Sequence, residues 1–123
     1  MSKLIGRFFF KLTDSKNLIG EFSNNDSKRN YTESAVLKPR EPDEVQKPNE
    51  GKFIGVYFST WYEEDEHSCV LAELKIEQKY ENIFSLTWWR VQDRKTAADP
   101  FFLGEGILCD GILIGDYRHV PTS

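Results

Sequence analysis

The sequence has 123 residues, of which 39% are hydrophobic and 14% aromatic, and its net charge is −4. This length fits one domain, residues 1–123, built around a single core. The negative charge and the absence of a basic stripe argue against a nucleic-acid-binding protein, because such proteins attract the phosphate backbone. No apolar run approaches the length of a membrane-spanning helix, so we expect no membrane span.

The N-terminal segment starts with a charge and an apolar run, as a signal peptide does. However, Arg7 and Lys11 interrupt the run, and no small-residue cleavage site follows. We therefore interpret the segment as a first strand and expect a cytoplasmic protein. In that compartment Cys69 and Cys109 are expected to be reduced thiols, with a disulfide as the less favoured alternative.

Apolar and polar residues alternate along most of the chain, and helical periodicity is nearly absent. Together with nine Phe, five Tyr and three Trp, this alternation predicts β-strands. The predicted strands are 4–11, 17–23, 30–37, 52–62, 67–78, 82–91, 101–109 and 112–119. The last two are separated by Asp110-Gly111, which is typical of a type I′ hairpin turn because both central residues of that turn need a positive φ.

Two longer connections interrupt the strands. Residues 38–52 contain three prolines, many charges and almost nothing apolar, a composition typical of an exposed loop. Residues 92–100 are predicted to form a loop or one helical turn before Pro100. Loops at the ends of a barrel or sheet commonly act as gates or lids.

A pentad with a central glycine recurs four times, as LIGRF (4–8), LIGEF (18–22), FIGVY (53–57) and LIGDY (113–117). Its first, third and fifth residues share one face of a strand, and three of the four copies place a charge on the other face. The Leu-Gly-aromatic face is therefore predicted to point inward, where glycine lets a strongly coiled strand bend. Several such strands predict an all-β fold, an antiparallel up-and-down β-barrel of about eight strands, with a β-sandwich as the alternative.

Two stretches, GVYFSTWYE (55–63) and FFLGEGILCDGILIGDY (101–117), resemble the small up-and-down barrels of the calycin superfamily, which are the lipocalins, fatty-acid-binding proteins and avidins. LIGEF and YTESAV within 18–36 are also similar to the second-to-third-strand region of avidins. The chain departs from these families: Ser59-Thr60-Trp61 falls mid-chain instead of in the first strand, the biotin-site pattern cannot be traced, and the nearest match to the lipocalin Gly-x-Trp is Gly55-Val56-Tyr57. The resemblance implies the barrel fold and ligand binding inside it, and it assigns no functional residue.

The predicted inner face combines glycines with aromatic residues that have polar tips, as small-molecule pockets do. An eight-stranded barrel is just wide enough either to be filled by side chains or to hold one small ligand. We therefore predict a small apolar or amphipathic ligand, and the alternative is that Phe and Trp rings fill the space beside the glycines. The candidate ligand-binding residues are Tyr57, Trp61, Phe84, Trp88, Phe102, Tyr117 and His119.

No motif points to catalysis, a cofactor or a metal. The sequence has no nucleophile elbow, no phosphate-binding glycine loop and no paired Cys/His spacing. The acidic run Glu63-Glu-Asp-Glu-His67 lacks the spacing of a calcium or zinc site and is interpreted as a solvated turn. A barrel enzyme of the isomerase or cyclase type, using Tyr, Glu or His119, is the third functional alternative.

Hydrophobic residues also lie on the predicted outer face. They are Phe101, Leu103, Ile107, Ile112 and Ile114 in the last hairpin, and Ile54, Val56 and Phe58 in the fourth strand. Since strands that are hydrophobic on both faces are covered on both faces, we predict a homo-oligomer, a dimer or tetramer, formed through the barrel wall. The alternatives are that residues 38–52 or the N-terminal strands cover this patch, or that the outer wall of a filled barrel binds partners as an interaction scaffold.

Overall fold

The structure, a computed structural model, describes residues 5–25, 27–38, 53–63 and 67–120. Apart from Lys38, the predicted loop 38–52 lies outside the described residues. The strands are β1 (Ile5–Leu12), β2 (Leu18–Asn24), β3 (Ser27–Leu37), β4 (Gly55–Glu63), β5 (Ser68–Tyr80), β6 (Ile83–Gln92), β7 (Lys95–Thr96), β8 (Phe102–Cys109) and β9 (Ile112–His119). Within the described ranges, no helix is long and apolar enough to span a membrane.

Eight of these strands form a closed antiparallel barrel with up-and-down connectivity. Each strand from β1 to β5 pairs with the next, β6 pairs with β8, β8 with β9, and β9 with β1, while β7 pairs only with β6. The predicted barrel is confirmed, and the β-sandwich alternative is wrong. Every barrel strand therefore has a partner on both sides, although the pairing between β3 and β4 covers only Glu33–Leu37 of β3.

Two tight hairpins connect strands near the end of the chain. Asp110 and Gly111 have φ angles of 57° and 80°, so the predicted turn between β8 and β9 has the positive φ values expected of type I′. Asp93 and Arg94 also have positive φ angles, 52° and 65°. The chain therefore turns back after Gln92 and pairs as β7, so residues 92–100 contain a small hairpin where the sequence predicts a loop or a helical turn.

The described pentad residues that were predicted to point inward do so. Phe8, Leu18, Tyr57 and Leu113 are buried, each 4% exposed or less. Phe101 corrects one prediction, because it was expected to face outward and is instead only 9% exposed. It precedes β8, so strand alternation does not apply to it.

The barrel interior has an aliphatic half and an aromatic half. The aliphatic half lies beside the β1–β2, β5–β6 and β8–β9 turns, where Leu18, Ile76 and Leu113 are at most 1% exposed. The aromatic half lies at the opposite end, where β2, β4, β6 and β9 finish. The two halves differ in composition, since Trp61, Trp88 and Tyr117 lie in the aromatic half, and Tyr57 is the buried residue that brings a polar tip to the aliphatic half.

Four glycines allow close approaches between strands, and between strands and aromatic rings, inside the barrel. A Cβ added at Gly20 would lie 1.8 Å from the carbonyl oxygen of Phe9, and one at Gly115 would lie 2.0 Å from that of Glu105. At Gly6 and Gly104 the added Cβ would meet ring atoms, of Tyr117 at 2.3 Å and of Trp88 at 3.1 Å respectively, as well as the carbonyl oxygens of Ser23 at 2.3 Å and Asp116 at 2.8 Å. Rings thus fill the space beside Gly6 and Gly104, as the filled-interior alternative predicts for those two positions.

We expect Gly115→Ala to destabilise the barrel more than Gly106→Ala, although these two inner-face glycines pair directly with each other. A Cβ at Gly115 collides with backbone, which cannot move without shifting a strand, whereas one at Gly106 comes no closer than 3.1 Å to a Leu113 methyl group. The expected losses in the free energy of unfolding are about 2–3 kcal/mol for Gly115→Ala and about 1 kcal/mol for Gly106→Ala. Urea denaturation of both variants measures them, and equal losses would contradict the close approach of β8 and β9.

Candidate functional site

Ring contacts connect most of the aromatic half, with Tyr117 at their centre. Its ring centroid lies 5.5 Å from that of Phe102, 6.0 Å from that of Phe22 and 6.1 Å from that of Trp88. Trp88 in turn meets Phe8 edge-on at 5.9 Å. These residues come from β1, β2, β6, β8 and β9, so one cluster crosses the interior from wall to wall.

Trp61 covers the cluster on the side of β4. Its ring stacks on Phe101 at 6.0 Å with an interplanar angle of 16°, and its indole Nε1 donates to Glu63 at 3.0 Å. The guanidinium of Arg90 lies 5.3 Å from the centre of the Phe101 ring. The aromatic end therefore presents a carboxylate and a guanidinium beside its outermost rings.

The structure gathers most of the predicted ligand-binding residues at this end and separates two of them. Trp61, Trp88, Phe102 and Tyr117 belong to the cluster, and the exposed ring of His119 lies 5.4 Å from that of Phe102. The other two lie toward the aliphatic half. The hydroxyl of Tyr57 donates to the carbonyl of Phe53 at 2.9 Å, ahead of β4, and Phe84 is the second residue of β6, next to the β5–β6 turn.

A buried carboxyl group, which the sequence analysis missed, lies in the same half. Glu33 of β3 is 4% exposed, and the only other buried polar residue among the described ones is Ser59. The Ser59 hydroxyl donates to Oε2 of Glu33 at 2.5 Å, and Nε1 of Trp88 donates to the same oxygen at 2.9 Å. The carboxyl is thereby fixed from β4 and β6, two strands that do not pair with each other.

The second oxygen of Glu33 is differently placed. Both donors reach Oε2, so they leave Oε1 without either bond. Among the described residues, no fully buried side-chain nitrogen or oxygen lacks a hydrogen-bond partner. Oε1 therefore keeps some accessible surface, although the residue as a whole is buried.

The environment of Glu33 brings its proton equilibrium into the physiological range. Burial raises the pKa of its carboxyl group to about 7, against the lowering effect of the hydrogen bonds from Ser59 and Trp88. Tyr117 faces this carboxyl: burial raises the pKa of its phenol to about 12, and the charges of Glu33 and Glu63 act in the same direction. At neutral pH the site therefore combines a half-ionised carboxyl with a neutral phenol.

The signal for Glu33 was present in the sequence. Tyr31, Glu33, Ala35 and Leu37 share one face of β3, and Ala35 and Leu37 mark that face as the inner one. A carboxylate at an inward position of a barrel strand is rare unless it has partners. None of the pentads lies in β3, so the pentads alone could not identify Glu33.

The predicted interface residues lie mostly on the outer wall. Phe58, Ile107 and Ile114 are 41%, 52% and 50% exposed. Val56, Leu103 and Ile112 are partly exposed in the strands that contain them. Ile54 differs, since it lies ahead of β4 and packs against the core cluster.

Strand register joins some of these residues into a continuous outer stripe. Tyr80 pairs with Ile83, Ile83 with Ile107, Ile107 with Ile114, and Ile114 with Phe9. We call these five residues the outer stripe; it crosses β5, β6, β8, β9 and β1. The next outward row, toward the aromatic end, is polar and contains Arg7, Asp116, Glu105 and Ser85.

The remaining candidates for chemistry stay outside the cluster. Cys69 and Cys109 are exposed, and no disulfide joins them. Glu64, Asp65 and Glu66 of the acidic run lie outside the described residues. In the part of the chain that is described, no group of three or more His, Cys, Asp or Glu side chains could hold a metal ion.

Comparisons with known proteins give no match, whether to a family model, a curated protein or a solved structure. The closed antiparallel barrel is compatible with a calycin-like fold, and this compatibility rests on architecture alone. Function must therefore be argued from the site itself.

We expect Glu33→Gln to remove a pH dependence of stability. Glu33 keeps its proton up to about pH 7 in the folded protein, whereas the unfolded chain releases it near pH 4.5, so the free energy of unfolding falls as pH rises through this window. The shift corresponds to about 3 kcal/mol. Urea denaturation between pH 4.5 and pH 8 should show the variant gaining this amount relative to the wild type.

The exposed carboxylate of Glu81 supplies the control, because Glu81→Gln removes a carboxyl group at the opposite end of the barrel. Its stability curve should run parallel to that of the wild type. A parallel curve for Glu33→Gln as well would show that Glu33 titrates normally in the folded protein.

Proposed function

We propose that this protein binds a small, partly apolar molecule in the aromatic half of its barrel, as lipocalin-like and avidin-like barrels bind ligands in their interiors. The observation that carries the proposal is Oε1 of Glu33, which receives neither of the two hydrogen bonds that Ser59 and Trp88 donate to Oε2 and keeps some accessible surface beside the rings of the cluster. Ligand pockets typically combine apolar walls with a few fixed polar groups. Here the rings are the walls, and the Glu33 carboxyl, held by Ser59 and Trp88, is the fixed polar group.

Rings in the aromatic half are more accessible than the side chains of the aliphatic half, as ligand binding at the aromatic end requires. Phe22, Tyr31 and Phe102 are only partly buried, whereas Leu18, Ile76 and Leu113 are at most 1% exposed. A ligand would therefore enter at the aromatic end, where ring surface is still accessible, and would contact Phe22, Tyr31 and Phe102 first. Covering partly exposed rings releases water from apolar surface, which favours binding.

We expect the uncharged fluorescent probe N-phenyl-1-naphthylamine to bind at a single saturable site and to change the tryptophan fluorescence. Trp61→Phe should weaken probe binding about five-fold, because it removes part of the ring surface at the aromatic end. Trp89→Phe is the matched control, since Trp89 lies between the inward residues Trp88 and Arg90 and its ring points to the outer wall.

Two outcomes would contradict the proposal. A probe signal that stays flat at all concentrations would mean that the interior is closed to ligands. Equal weakening by Trp61→Phe and Trp89→Phe would place the probe somewhere other than the aromatic end.

The outer stripe supports a second proposal, that two copies of this chain associate through their barrel walls. Five apolar residues in direct register, flanked by a charged row, have the apolar centre and polar rim of a protein interface. A second copy suits this surface because a two-fold axis lets one stripe cover its own equivalent. A filled-barrel scaffold that binds a different partner through this wall is the competing function.

Sedimentation velocity tests the association. The wild type is expected to sediment as a dimer or larger species, and Ile114→Glu as a monomer, because the new charge would be buried within the stripe. Ile19→Glu is the control, since Ile19 is 49% exposed and lies on β2 outside the stripe. A monomeric wild type would refute self-association and leave the stripe to a different partner.

The two exposed, free cysteines support a further proposal about location. Cys69 and Cys109 lie on the outer wall, and no disulfide joins them. Such thiols persist in a reducing compartment, which favours the cytoplasm.

A further inference from the structure

The carboxyl group of Glu33 lacks a counter-charge among the described residues. Its environment comprises burial and two neutral donors, the Ser59 hydroxyl and the Trp88 indole, with no cation contributing. Arg90 is at the same end of the barrel, but its guanidinium lies over the ring of Phe101. A buried carboxylate without a cation is unstable in its charged form, so a positive group brought by a ligand would relieve the deficit.

The hydrogen-bonding groups around this carboxyl are already committed. Ser59 and Trp88 both donate to Oε2. The hydroxyl of Tyr117 accepts from the amide of Asn24 at 3.2 Å and points its own proton at the carbonyl of Ser23, 3.4 Å away. When the carboxyl group is ionised, a molecule that reaches Oε1 therefore meets an acceptor that needs a donor.

The surroundings favour a positively charged donor over a neutral one. The faces of aromatic rings attract cations, and the cluster presents several rings within one region. A second carboxylate, Glu63, lies close enough to Tyr117 to act on its phenol together with Glu33. Around the Tyr117 phenol, two carboxylates and a set of rings favour a cation over an anion, while the guanidinium of Arg90 lies over the ring of Phe101.

We propose that the ligand of this site is an amine, a protonated nitrogen on an apolar body, whose N–H donates to Oε1 of Glu33 while the body contacts Phe22, Trp61 and Tyr117. This assignment rests on the proposed function and names the chemical class of its ligand. A charge-assisted hydrogen bond of this kind is about twice as strong as a neutral one, and it forms only with the ionised carboxylate.

Amine binding then depends on pH through Glu33. The groups that face this carboxyl are Ser59 from β4, Trp88 from β6 and the Tyr117 phenol from β9. The phenol stays neutral, since burial raises its pKa to about 12, and the carboxyl ionises at about pH 7. Affinity for an amine should therefore rise between pH 6 and pH 8, whereas affinity for a neutral analogue should not.

The test compares 2-phenylethylamine with its neutral isostere 2-phenylethanol by isothermal titration calorimetry on the full chain. At pH 8 the amine should bind at least about ten-fold more tightly than the alcohol. This preference should fall by up to about ten-fold at pH 6, where Glu33 is mostly protonated and the aliphatic amine is still charged. In Glu33→Gln the preference should be lost at both pH values, and in Glu81→Gln it should be retained.

The outcomes separate this inference from the function on which it rests. If both compounds bind equally at pH 8, or if the preference survives Glu33→Gln, the amine assignment is wrong while ligand binding in the barrel stands. If neither compound binds and the uncharged probe does not bind either, both proposals fail. Urea denaturation of Glu33→Gln at pH 8 shows whether the variant is folded, so that a lost preference is not mistaken for unfolding.

Discussion

Pairing of β1 with β9 is the constraint on which the interior depends. Seven antiparallel pairings join barrel strands that follow one another in the chain. The eighth, between β1 and β9, joins the first strand to the last over Ile5–Lys11 and Ile112–Arg118. Closure forces alternate residues of every strand into one shared space and gives each strand two partners. Without it, the sheet would have two free edges, and the aromatic rings from β8 and β9 would not meet those from β1 and β2.

Closure at this diameter requires strands to approach closely. The carbonyl oxygens of Phe9 and Glu105 lie where the side chains of Gly20 and Gly115 would begin. At Gly6 and Gly104 the added side chain would meet both a carbonyl oxygen and a ring from another strand. Glycine therefore allows strands to approach closely at all four positions, and at Gly6 and Gly104 it also admits an aromatic side chain.

Much of the fold could be predicted from the sequence, because alternation and turn chemistry are local signals. The 112–119 strand and the Asp110-Gly111 turn follow from residues adjacent in the chain, and the bounds of the other barrel strands agree within a few residues. Phe101 could not be placed this way, since its position depends on the stack with Trp61, forty residues away in the chain. The β7 hairpin was missed because Asp93-Arg94 is an uncommon sequence for two positive φ angles.

The aromatic walls of the candidate site could be predicted from the sequence, but its central carboxyl group, Glu33, could not. Inward aromatic residues are recognisable from alternation, so Trp61, Trp88 and Tyr117 were identified. These three residues cluster away from Tyr57 and Phe84. That separation depends on strand register and on side-chain direction, and neither can be predicted from neighbouring residues in the chain. Glu33 has a local signal, an acidic residue in an inward position, but its meaning depends on Ser59 and Trp88 reaching it from distant strands.

The position of Glu33 is difficult to explain by folding alone. A glutamine would satisfy Ser59 and Trp88 with its amide oxygen and would avoid the desolvation that raises the pKa of the carboxyl to about 7. Above that pH, the folded protein holds a buried negative charge that reduces its stability. Local features that weaken a fold without a structural benefit tend to lie at functional sites. An ionisable group with one fixed and one free oxygen is suited to a ligand whose charge completes the site, and that ligand would stabilise the folded state in the pH range where Glu33 is charged.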